Sequence, residues 1–381
     1  MKILAIETSC DDTAISVGEC DRNIADFKII SQAISSQIEI HKKYGGVYPT
    51  LARREHQKNL TIVLKKVLKD SNLLRLKSSK INSKEIEKIL EKEKSLFTKT
   101  KSFVEKYQKP DIDYIAVTYG PGLEPCLWSG VNFARSLSAI WKIPIIPINH
   151  IEAHLFANFV NNPNILNERI FPAVFLIVSG GHTQLILIEK LGKYRIIGET
   201  RDDAAGEAFD KIARAIGLPY PGGPEISKAA LSGKTLDISL PRPMIATRDF
   251  DFSFSGLKTS VIYNTKKQKK SVLKSKKYIS SMAFESQQAI IEVLVKKTIR
   301  AAEKFNVKTI IIGGGVAANR ALRELIKKEA ERIKKNISIP EMKLCTDNAS
   351  MVALNACYHI LKNARIKNYK EIKAQANLTI S

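Results

Sequence analysis

The two halves of the chain repeat one plan of apolar runs, turns and helical segments. An apolar run, a short polar turn and a second apolar run form "KILAIETSCDDTAISVGE" (2–19) and again "AVFLIVSGGHTQLILIE" (173–189). Further along each half, another apolar run enters a Gly-rich turn and a helical segment, at 113–141 and at 308–326. Strands that alternate with helices predict mainly parallel sheets covered by helices. We therefore expect an α/β fold of two duplicated lobes with a ligand cleft between them.

The repeat also predicts where the lobes begin and end. We expect an N-terminal lobe at 1–145 and a C-terminal lobe at 146–381, with the last helices packing back across the lobes. Apolar residues recur at every third or fourth position in 48–70 and in 280–305, which predicts two long helices. The segment 70–108 is polar and lysine-rich. We interpret it as a weakly helical insertion on the first lobe with little role in the chemistry.

The chain carries a net charge of +23, which favours a polyanionic partner. A composition biased toward lysine by the genome would give the same charge, so both explanations stay open. The excess is uneven, because residues 264–280 hold seven lysines and no acidic residue. A block of like charges repels itself, so we expect a mobile loop or arm here. If this lysine block has a function, we expect it to contact the backbone of a nucleic acid.

Cysteine usage and apolar runs predict a soluble cytoplasmic protein. The five cysteines, at 10, 20, 126, 345 and 357, are scattered and include no close pair. This argues against a disulfide framework and against a thiolate zinc site. The chain opens on a strand-like run instead of a leader, and no apolar run approaches the roughly 18 residues of a bilayer span.

The stretch "PINHIEAHLFANF" (147–159) holds two of the six histidines. His150 and His154 are four residues apart, so on a helix they share one face and can bind one metal ion. The alternative is a helix cap followed by a core histidine. Glu152 lies about 200° around the helix from His150, so we expect it to face away from such a metal. The H-E-x-x-H pattern of zinc peptidases is therefore not met.

Acidic residues supply two further candidates. Asp347 in "CTDNASM" precedes a helical run, where it is either the helix cap or a third metal ligand beside two histidines. Asp11 and Asp12 in "ETSCDDT" lie in the first polar turn. They can serve as a base or hold a metal-bound water, or they are ordinary turn residues.

Glycine-rich turns supply the candidate sites for an anionic ligand. "VSGGHT" (178–183) and "IIIGGGVAANRAL" (310–322) let the backbone approach a ligand closely, although a plain turn explains either. Neither has the spacing of a dinucleotide-binding or Walker loop. Carboxylates crowd 201–210, ahead of "YPGGP" at 220–224, and some of them can face the cleft.

Taken together, these motifs resemble one known family. The motifs, in chain order, are "ETSCDDT", "GGVYPTLARREH", "AVTYGPGL", "NHIEAH", "VSGGHT", "DDAAGEAFDK", "YPGGP", "FSFSGLKT", "GGGVAANR" and "CTDNA". Ten motifs in this order resemble the TsaD family of tRNA threonylcarbamoyladenosine synthases, formerly called O-sialoglycoprotein endopeptidases. The resemblance implies the actin-like, Hsp70-like and hexokinase-like fold, in which two RNase H-like lobes enclose a nucleotide cleft.

The resemblance also implies a reaction and its components. Threonylcarbamoyl-AMP donates its threonylcarbamoyl group to the exocyclic amine of the adenosine 3′ to the anticodon, in tRNAs that read ANN codons. One divalent ion, iron or zinc, is implied as the cofactor. The implied partners are tRNA, a small TsaB-like paralogue and a TsaE-like ATPase, with no membrane. A metallopeptidase and a small-molecule kinase of the same fold are the alternatives.

Family roles carry over only onto matching positions. The resemblance implies metal ligands at His150, His154 and Asp347 and an acidic pair required for activity at Asp11 and Asp12. The residues implied to bind the donor are Val178, Ser179, Gly180, Gly181, His182, Asp210, Gly223 and Asn319. The implied metal site requires Asp347 to lie beside the imidazoles of His150 and His154. A structure that separates these three residues would contradict the site.

Overall fold

The computed structural model describes residues 1–77, 81–166, 170–233, 239–363 and 368–380. Its internal contacts divide the chain into two compact units. The first unit comprises residues 1–39, 47–166 and 347–379, and the second comprises 40–46, 167–346 and 380–381. The boundary predicted between 145 and 146 therefore lies inside the first unit, which extends to 166. The segment that begins at 347 returns to the first unit.

Each unit is built on a five-stranded sheet. The strands are β1 (Lys2–Glu7), β2 (Asp12–Glu19), β3 (Lys28–Ser36), β4 (Tyr114–Gly120), β5 (Ile145–Asn149), β6 (Ala173–Val178), β7 (Thr183–Lys190), β8 (Lys193–Glu199), β9 (Thr309–Gly313) and β10 (Asn336–Ser338). The first sheet has the order β3-β2-β1-β4-β5 and the second β10-β9-β6-β7-β8.

The two sheets have the same pairing, which confirms the predicted repeat. In the first sheet β1 pairs antiparallel with β2 and parallel with β4, and β4 pairs parallel with β5. In the second sheet β6 pairs antiparallel with β7 and parallel with β9, and β9 pairs parallel with β10. Each unit thus has three antiparallel strands extended by two parallel ones, which is the RNase H-like plan.

Helices cover the sheets. They are α1 (Ile38–Lys42), α2 (Pro49–Asp70), α3 (Lys84–Ile89), α4 (Lys94–Lys106), α5 (Glu124–Trp141), α6 (His150–Phe156), α7 (Ala205–Ala215), α8 (Gly222–Ala230), α9 (Ser255–Lys267), α10 (Lys270–Leu273), α11 (Lys276–Lys304), α12 (Arg320–Arg332) and α13 (Ala349–Leu361). Among the described residues, no helix combines the length and the apolar character that crossing a bilayer would require.

The segment 70–108 is more ordered than the sequence predicted. Outside residues 78–80 it contains α3 and α4, and the side chains of Ile86, Leu96 and Phe103 are buried in the same core as α2 and α5. The expected weak helicity is not observed, because apolar residues at helical spacing turn inward while the lysines face solvent. That the segment is an insertion on the first lobe stays a prediction. Its small role in the chemistry stays a prediction.

The lysine-rich segment 264–280 is helical as well. It spans the end of α9, all of α10 and the start of α11, and Tyr278 is buried in the core of the second unit. The expected mobile arm is wrong here, because apolar residues between the lysines attach the segment to that core. All seven lysines are exposed, so their charges are available to a partner.

One pair of cysteines differs from the sequence prediction, which argued against disulfides. Cys20 and Cys357, which are 337 residues apart in the chain, are joined by a disulfide. Cys10, Cys126 and Cys345 are free thiols. Sequence spacing could not reveal the pair, since the fold alone brings the end of β2 beside α13.

Candidate active site

The carboxyl edge of the first sheet carries the paired histidines. The parallel strands β1, β4 and β5 all end at this edge, and α6 begins there directly after β5. The side chain of Asn149 caps α6 by accepting hydrogen bonds from the amides of Ile151 and Glu152. The cap is therefore Asn149, and His150 and His154 are left to share one face. Their ring centroids are 4.6 Å apart, and both residues are buried.

Asp347 meets the two imidazoles. The cap of α13 is Asn348, whose side chain accepts a hydrogen bond from the amide of Met351, so Asp347 does not have that role. Its Oδ1 lies 3.2 Å from Nε2 of His154 and 3.6 Å from Nε2 of His150. One potential ligand atom from each of the three residues lies within 4.8 Å of the others. The arrangement required of the predicted metal ligands is thus present in the first unit.

The protonation of His154 fits a metal ligand. Both ring nitrogens are buried. Nδ1 makes no hydrogen bond to the described part of the chain, and Nε2 faces the carboxylate of Asp347 at 3.2 Å. Buried polar atoms are rarely left without a partner, so an imidazole in this state is suited to a bound ion. Burial lowers the pKa of His154 and outweighs the attraction of Asp347. A neutral ring keeps a lone pair for coordination.

Glu7 holds the ring of His150. This fully buried carboxylate ends β1, and its Oε2 lies 3.1 Å from Nδ1 of His150 and accepts a 2.6 Å hydrogen bond from Thr118. An Nδ1–H donor leaves Nε2 of His150 directed at Asp347, as in many carboxylate–histidine–metal sites. Burial lowers the pKa of His150, but the charges of Glu7 and Asp347 outweigh it and raise the pKa to about 9.

Asp11 and Asp12 lie in the turn between β1 and β2, at the same edge of the sheet. Burial and then the negative charge of Asp347 raise the pKa of Asp11 to about 6 and that of Asp12 to about 7. Oδ1 of Asp12 is buried and makes no hydrogen bond to a described residue. Carboxylates with a pKa near neutrality can accept a proton at physiological pH, which is the chemistry predicted for this pair.

Sequence reasoning missed Glu7 and also His56, which holds the acidic turn. The buried ring of His56 donates through Nε2 to the carbonyl of Cys10 at 2.9 Å and accepts through Nδ1 from the hydroxyl of Thr13 at 2.8 Å. These two bonds flank Asp11 and Asp12 and hold the turn from both sides. Two sequence signals could have identified them. Glu7 ends the first apolar run, and His56 ends the motif "ARREH".

In the second unit the predicted donor loop is an exposed glycine turn. The turn between β6 and β7 is closed by two hydrogen bonds between Ser179 and His182, of 2.8 and 3.1 Å. Gly180 and Gly181 are exposed, and a Cβ added to either would meet no atom within 4 Å. The backbone of this turn is therefore open to a ligand. Val178, the last residue of β6, is buried and anchors it.

The Gly-rich turn after β9 adjoins this donor loop. Gly314 has φ +88°, and a Cβ there would lie 2.4 Å from the carbonyl oxygen of Val178. Only glycine allows this approach. β6 and β9 are parallel neighbours, so their carboxyl ends bring the two turns together.

The other predicted donor residues take part in hydrogen bonds or packing between helices of the second unit. Asp210 in α7 accepts a 2.6 Å hydrogen bond from the amide of Gly222 at the start of α8, next to the half-buried Gly223. The side chain of Asn319 caps α12 and donates to Ser227 and Gln287. These contacts hold the helix starts together, and binding of a nucleotide by Asp210, Gly223 and Asn319 stays a prediction.

Two acids of the 201–210 cluster have structural roles instead. Asp202 accepts hydrogen bonds from the amides of Phe254 and Ser255 at the start of α9. Asp203 pairs with Lys211 and Lys258, at 2.7 and 2.8 Å.

Glu152 points toward α13 and away from the metal ligands. Its Oε2 accepts hydrogen bonds from Asn355 at 3.1 Å and from His359 at 2.7 Å. This agrees with the offset of about 200° along the helix. A carboxylate engaged by α13 cannot act as the base of a zinc peptidase at His150 and His154.

Comparisons with known proteins agree with this architecture. The family model described as "tRNA N6-adenosine threonylcarbamoyltransferase" matches residues 28–82 and 99–354. A curated relative of that name from Thermosipho africanus is 40% identical over 380 residues and covers 100% of both chains. Another, from Persephonella marina, is 43% identical over 357 residues, which is 93% of this chain and 88% of the relative.

A solved structure supports the fold alone. Full-length HypF in its phosphate- and nucleotide-bound form aligns with a TM-score of 0.52 at 11% sequence identity. The alignment covers 94% of this chain and 55% of the HypF chain, so this chain spans about half of HypF.

We predict that Glu152→Gln weakens the first unit in a pH-dependent way. Burial lowers the pKa of His359, but the hydrogen bond and charge of Glu152 outweigh it and raise the pKa. The contribution of the pair is therefore full below about pH 6.5 and is lost as the pH rises through the raised pKa. We expect a loss of about 1–3 kcal/mol in the free energy of unfolding under mildly acidic conditions and a smaller loss at alkaline pH.

Urea denaturation followed by tryptophan fluorescence measures this effect, because Trp128 and Trp141 both belong to the first unit. The exposed Glu324→Gln serves as the control and should leave the midpoint unchanged at either pH. An equal loss for Glu152→Gln at both pH values would contradict a charged Glu152–His359 pair.

Proposed function

The chain belongs to the tRNA N6-adenosine threonylcarbamoyltransferase family, and from this membership we propose the reaction, the metal and the residues that carry them. The proposed donor is threonylcarbamoyl-AMP. The proposed acceptor is the exocyclic amine of the adenosine 3′ to the anticodon in tRNAs that read ANN codons. The observation that carries the assignment is identity of 40% over the full length of a curated relative. The convergence of His150, His154 and Asp347 supports it.

We propose that His150, His154 and Asp347 hold one divalent ion, iron or zinc. Two imidazoles and one carboxylate form a donor set that leaves coordination positions open to a substrate. The buried nitrogens of His154 and the support of His150 by Glu7 favour this assignment. When bound, such an ion supplies Lewis acidity and orients the donor.

The glycine turn at 178–182 is proposed to receive the charged end of the donor. Backbone N–H groups at Gly180 and Gly181 can stabilise negative charge on donor oxygens without reorganising. The exposure of both glycines supports this role. Asp210, Gly223 and Asn319 are proposed to contact the ribose and adenine of the same donor.

The transfer itself exchanges one bond for another. The exocyclic nitrogen of adenosine attacks the carbamoyl carbon and forms a C–N bond, while the C–O bond to phosphate breaks and AMP leaves with the electron pair. The attacking nitrogen releases one proton, for which Asp12 is the proposed acceptor and Asp11 the alternative. Their raised pKa values, about 7 and about 6, suit proton uptake near neutrality.

The alternative activities have weaker support. A metallopeptidase would need Glu152 beside the histidines, whereas its carboxylate is bonded to Asn355 and His359. A small-molecule kinase of the same fold would give the two histidines no role.

Partners are proposed from the family resemblance. We expect a TsaB-like paralogue and a TsaE-like ATPase to assist the chain in the cytoplasm, where tRNA and the ATP-derived donor are available. The exposed lysines of 264–280 are proposed to contact the tRNA backbone, since they add seven positive charges to one surface segment without an acidic residue.

We predict that the double variant His150→Ala/His154→Ala loses its metal and at least about 100-fold of the transfer rate. The assay combines purified protein, labelled threonine, ATP, bicarbonate, the adenylate-forming enzyme and an ANN-decoding tRNA, with and without the partner subunits. Glu152→Gln, on the same helix, is the matched control and should retain both metal and transfer. Full transfer by a metal-free double variant would refute the role of the ion.

We predict that Asp12→Asn lowers kcat by about 100-fold or more and changes its pH profile. A base must be deprotonated to act, so the rate of the parent should fall as the pH drops through the pKa of Asp12. That pKa is about 7 without an ion at Asp347, and a bound cation would lower it. That acidic limb should be absent in Asp12→Asn. The exposed Asp21→Asn is the control and should keep the parental profile. Parental kinetics in Asp12→Asn would remove Asp12 from the role of base.

We predict that Gln at the seven lysines of 264–280 weakens tRNA binding and flattens its salt dependence, because each phosphate contact releases counterions. Filter binding at several salt concentrations measures both quantities. Lys327→Gln/Lys328→Gln, two exposed lysines of α12, should change them less. Unchanged binding in the seven-lysine variant would attribute the cluster to lysine-rich composition alone.

A further inference from the structure

A basic and aromatic cavity lies in the second unit, beside the edge strand β8. Its volume is about 330 Å³. The residues that line it are Arg195, Ile196, Ile197, Arg248, Asp249, Phe250, Lys304 and Phe305. They come from three places: β8, the segment 248–250 and the end of α11. None of them has a role in the transfer proposed above.

Aromatic rings form the floor of this cavity and cations surround it. The centroids of Phe250 and Phe305 are 5.9 Å apart. The guanidinium of Arg195 lies 5.2 Å from the centroid of Phe305, and Nζ of Lys304 lies 5.3 Å from that of Phe250. The rings thus hold the cations of Arg195 and Lys304 in place by cation–π contacts.

The positive charge of the cavity is not neutralised within the described chain. Arg195, Arg248 and Lys304 are exposed, and none of them forms an ion pair with an acidic residue that the structure describes. The carboxylate of Asp249, which also lines the cavity, is already engaged by Arg201 at 3.2 Å and by Lys297 at 3.4 Å. Three exposed cations therefore surround the cavity, and the carboxylate of Asp249 that lines it is already paired with Arg201 and Lys297.

Hydrogen bonds hold the segment 247–252, which forms one wall of the cavity. Lys297, which is fully buried, donates to the hydroxyl of Thr247 at 2.9 Å and to the carbonyl of Asp249 at 3.3 Å. Arg300 donates to the carbonyl of Thr247 at 2.6 Å. The amide of Phe252 donates to the carbonyl of Glu199 at 2.9 Å, which ties the same segment to the end of β8. A buried lysine is costly unless it is well bonded, so this segment is held in a defined position.

We propose that this cavity binds a backbone phosphate of the tRNA substrate and anchors the RNA on the second unit. Guanidinium groups present paired donors that match phosphate oxygens, and a lysine adds a point charge. The anion is assigned to tRNA because the family acts on tRNA and the chain carries a net charge of +23. The inference therefore rests on the proposed function, and it adds a contact surface separate from the lysines of 264–280.

The double variant Arg195→Gln/Lys304→Gln tests the proposal. Lys327→Gln/Lys328→Gln removes the same charge from α12 and is the matched control. In the reconstituted transfer mixture we expect the Kd for tRNA to rise about tenfold in the cavity variant, and the slope of log Kd against log salt to fall by about one. The control should change both quantities less. Thermal unfolding of each variant verifies that the second unit stays folded, and Arg248→Gln alone, a milder change, should raise the Kd in the same direction.

The outcomes separate this inference from the proposed function. Failure of the parent to modify tRNA would overturn the proposed function. In a second outcome, the parent modifies tRNA, but the cavity variant has the same Kd and the same salt slope as the control. This result would overturn the phosphate site alone. Parental tRNA binding with weakened association of the partner subunits would assign the cavity to an acidic protein surface and would also overturn it.

Discussion

The approach of the Asp347 carboxylate to the imidazoles of His150 and His154 is the contact on which the site depends. The histidines are four residues apart on α6, whereas Asp347 follows them by almost two hundred positions in the chain. It reaches them because the chain returns to the first unit at 347, where Asn348 caps α13 and frees the aspartate side chain. Burial makes this contact consequential, since charges and lone pairs interact more strongly away from water.

Ionisable groups whose pKa values shift in different directions lie together at one edge of the first sheet. Glu7 and Asp347 raise the pKa of His150, while burial keeps His154 neutral. The charge of Asp347 also contributes to the raised pKa values of Asp11 and Asp12. A cation at Asp347 would oppose its negative charge, so ion binding and the acidity of the turn are physically coupled. His56 adds a mechanical constraint, because its two hydrogen bonds hold that turn from both sides.

Much of the fold and of the site follows from local pattern. The two strand–turn–strand repeats predicted two equivalent α/β units, and their sheets have the same order and pairing. The spacing of His150 and His154 predicted a shared helical face, and the position of Glu152 predicted that it would point elsewhere. These inferences succeeded because side-chain periodicity is a local property of helices and strands.

The errors arose where tertiary packing overrides local composition. Lysine-rich segments at 70–108 and 264–280 suggested weak helicity and a mobile arm, yet a few apolar residues at helical spacing bind both to a core. Glu7 and His56 escaped attention because their partners are distant in the chain.

By itself, the sequence determined the repeated α/β plan, the histidine pair and the family to which the chain belongs, since all three depend on the order and spacing of nearby residues. Only the tertiary structure decided that Asp347 faces the imidazoles instead of capping α13, that Glu7 orients His150, and that Arg195 and Lys304 share one aromatic cavity. Such contacts join residues far apart in the chain, and no local rule specifies which distant side chains a packed core will bring together.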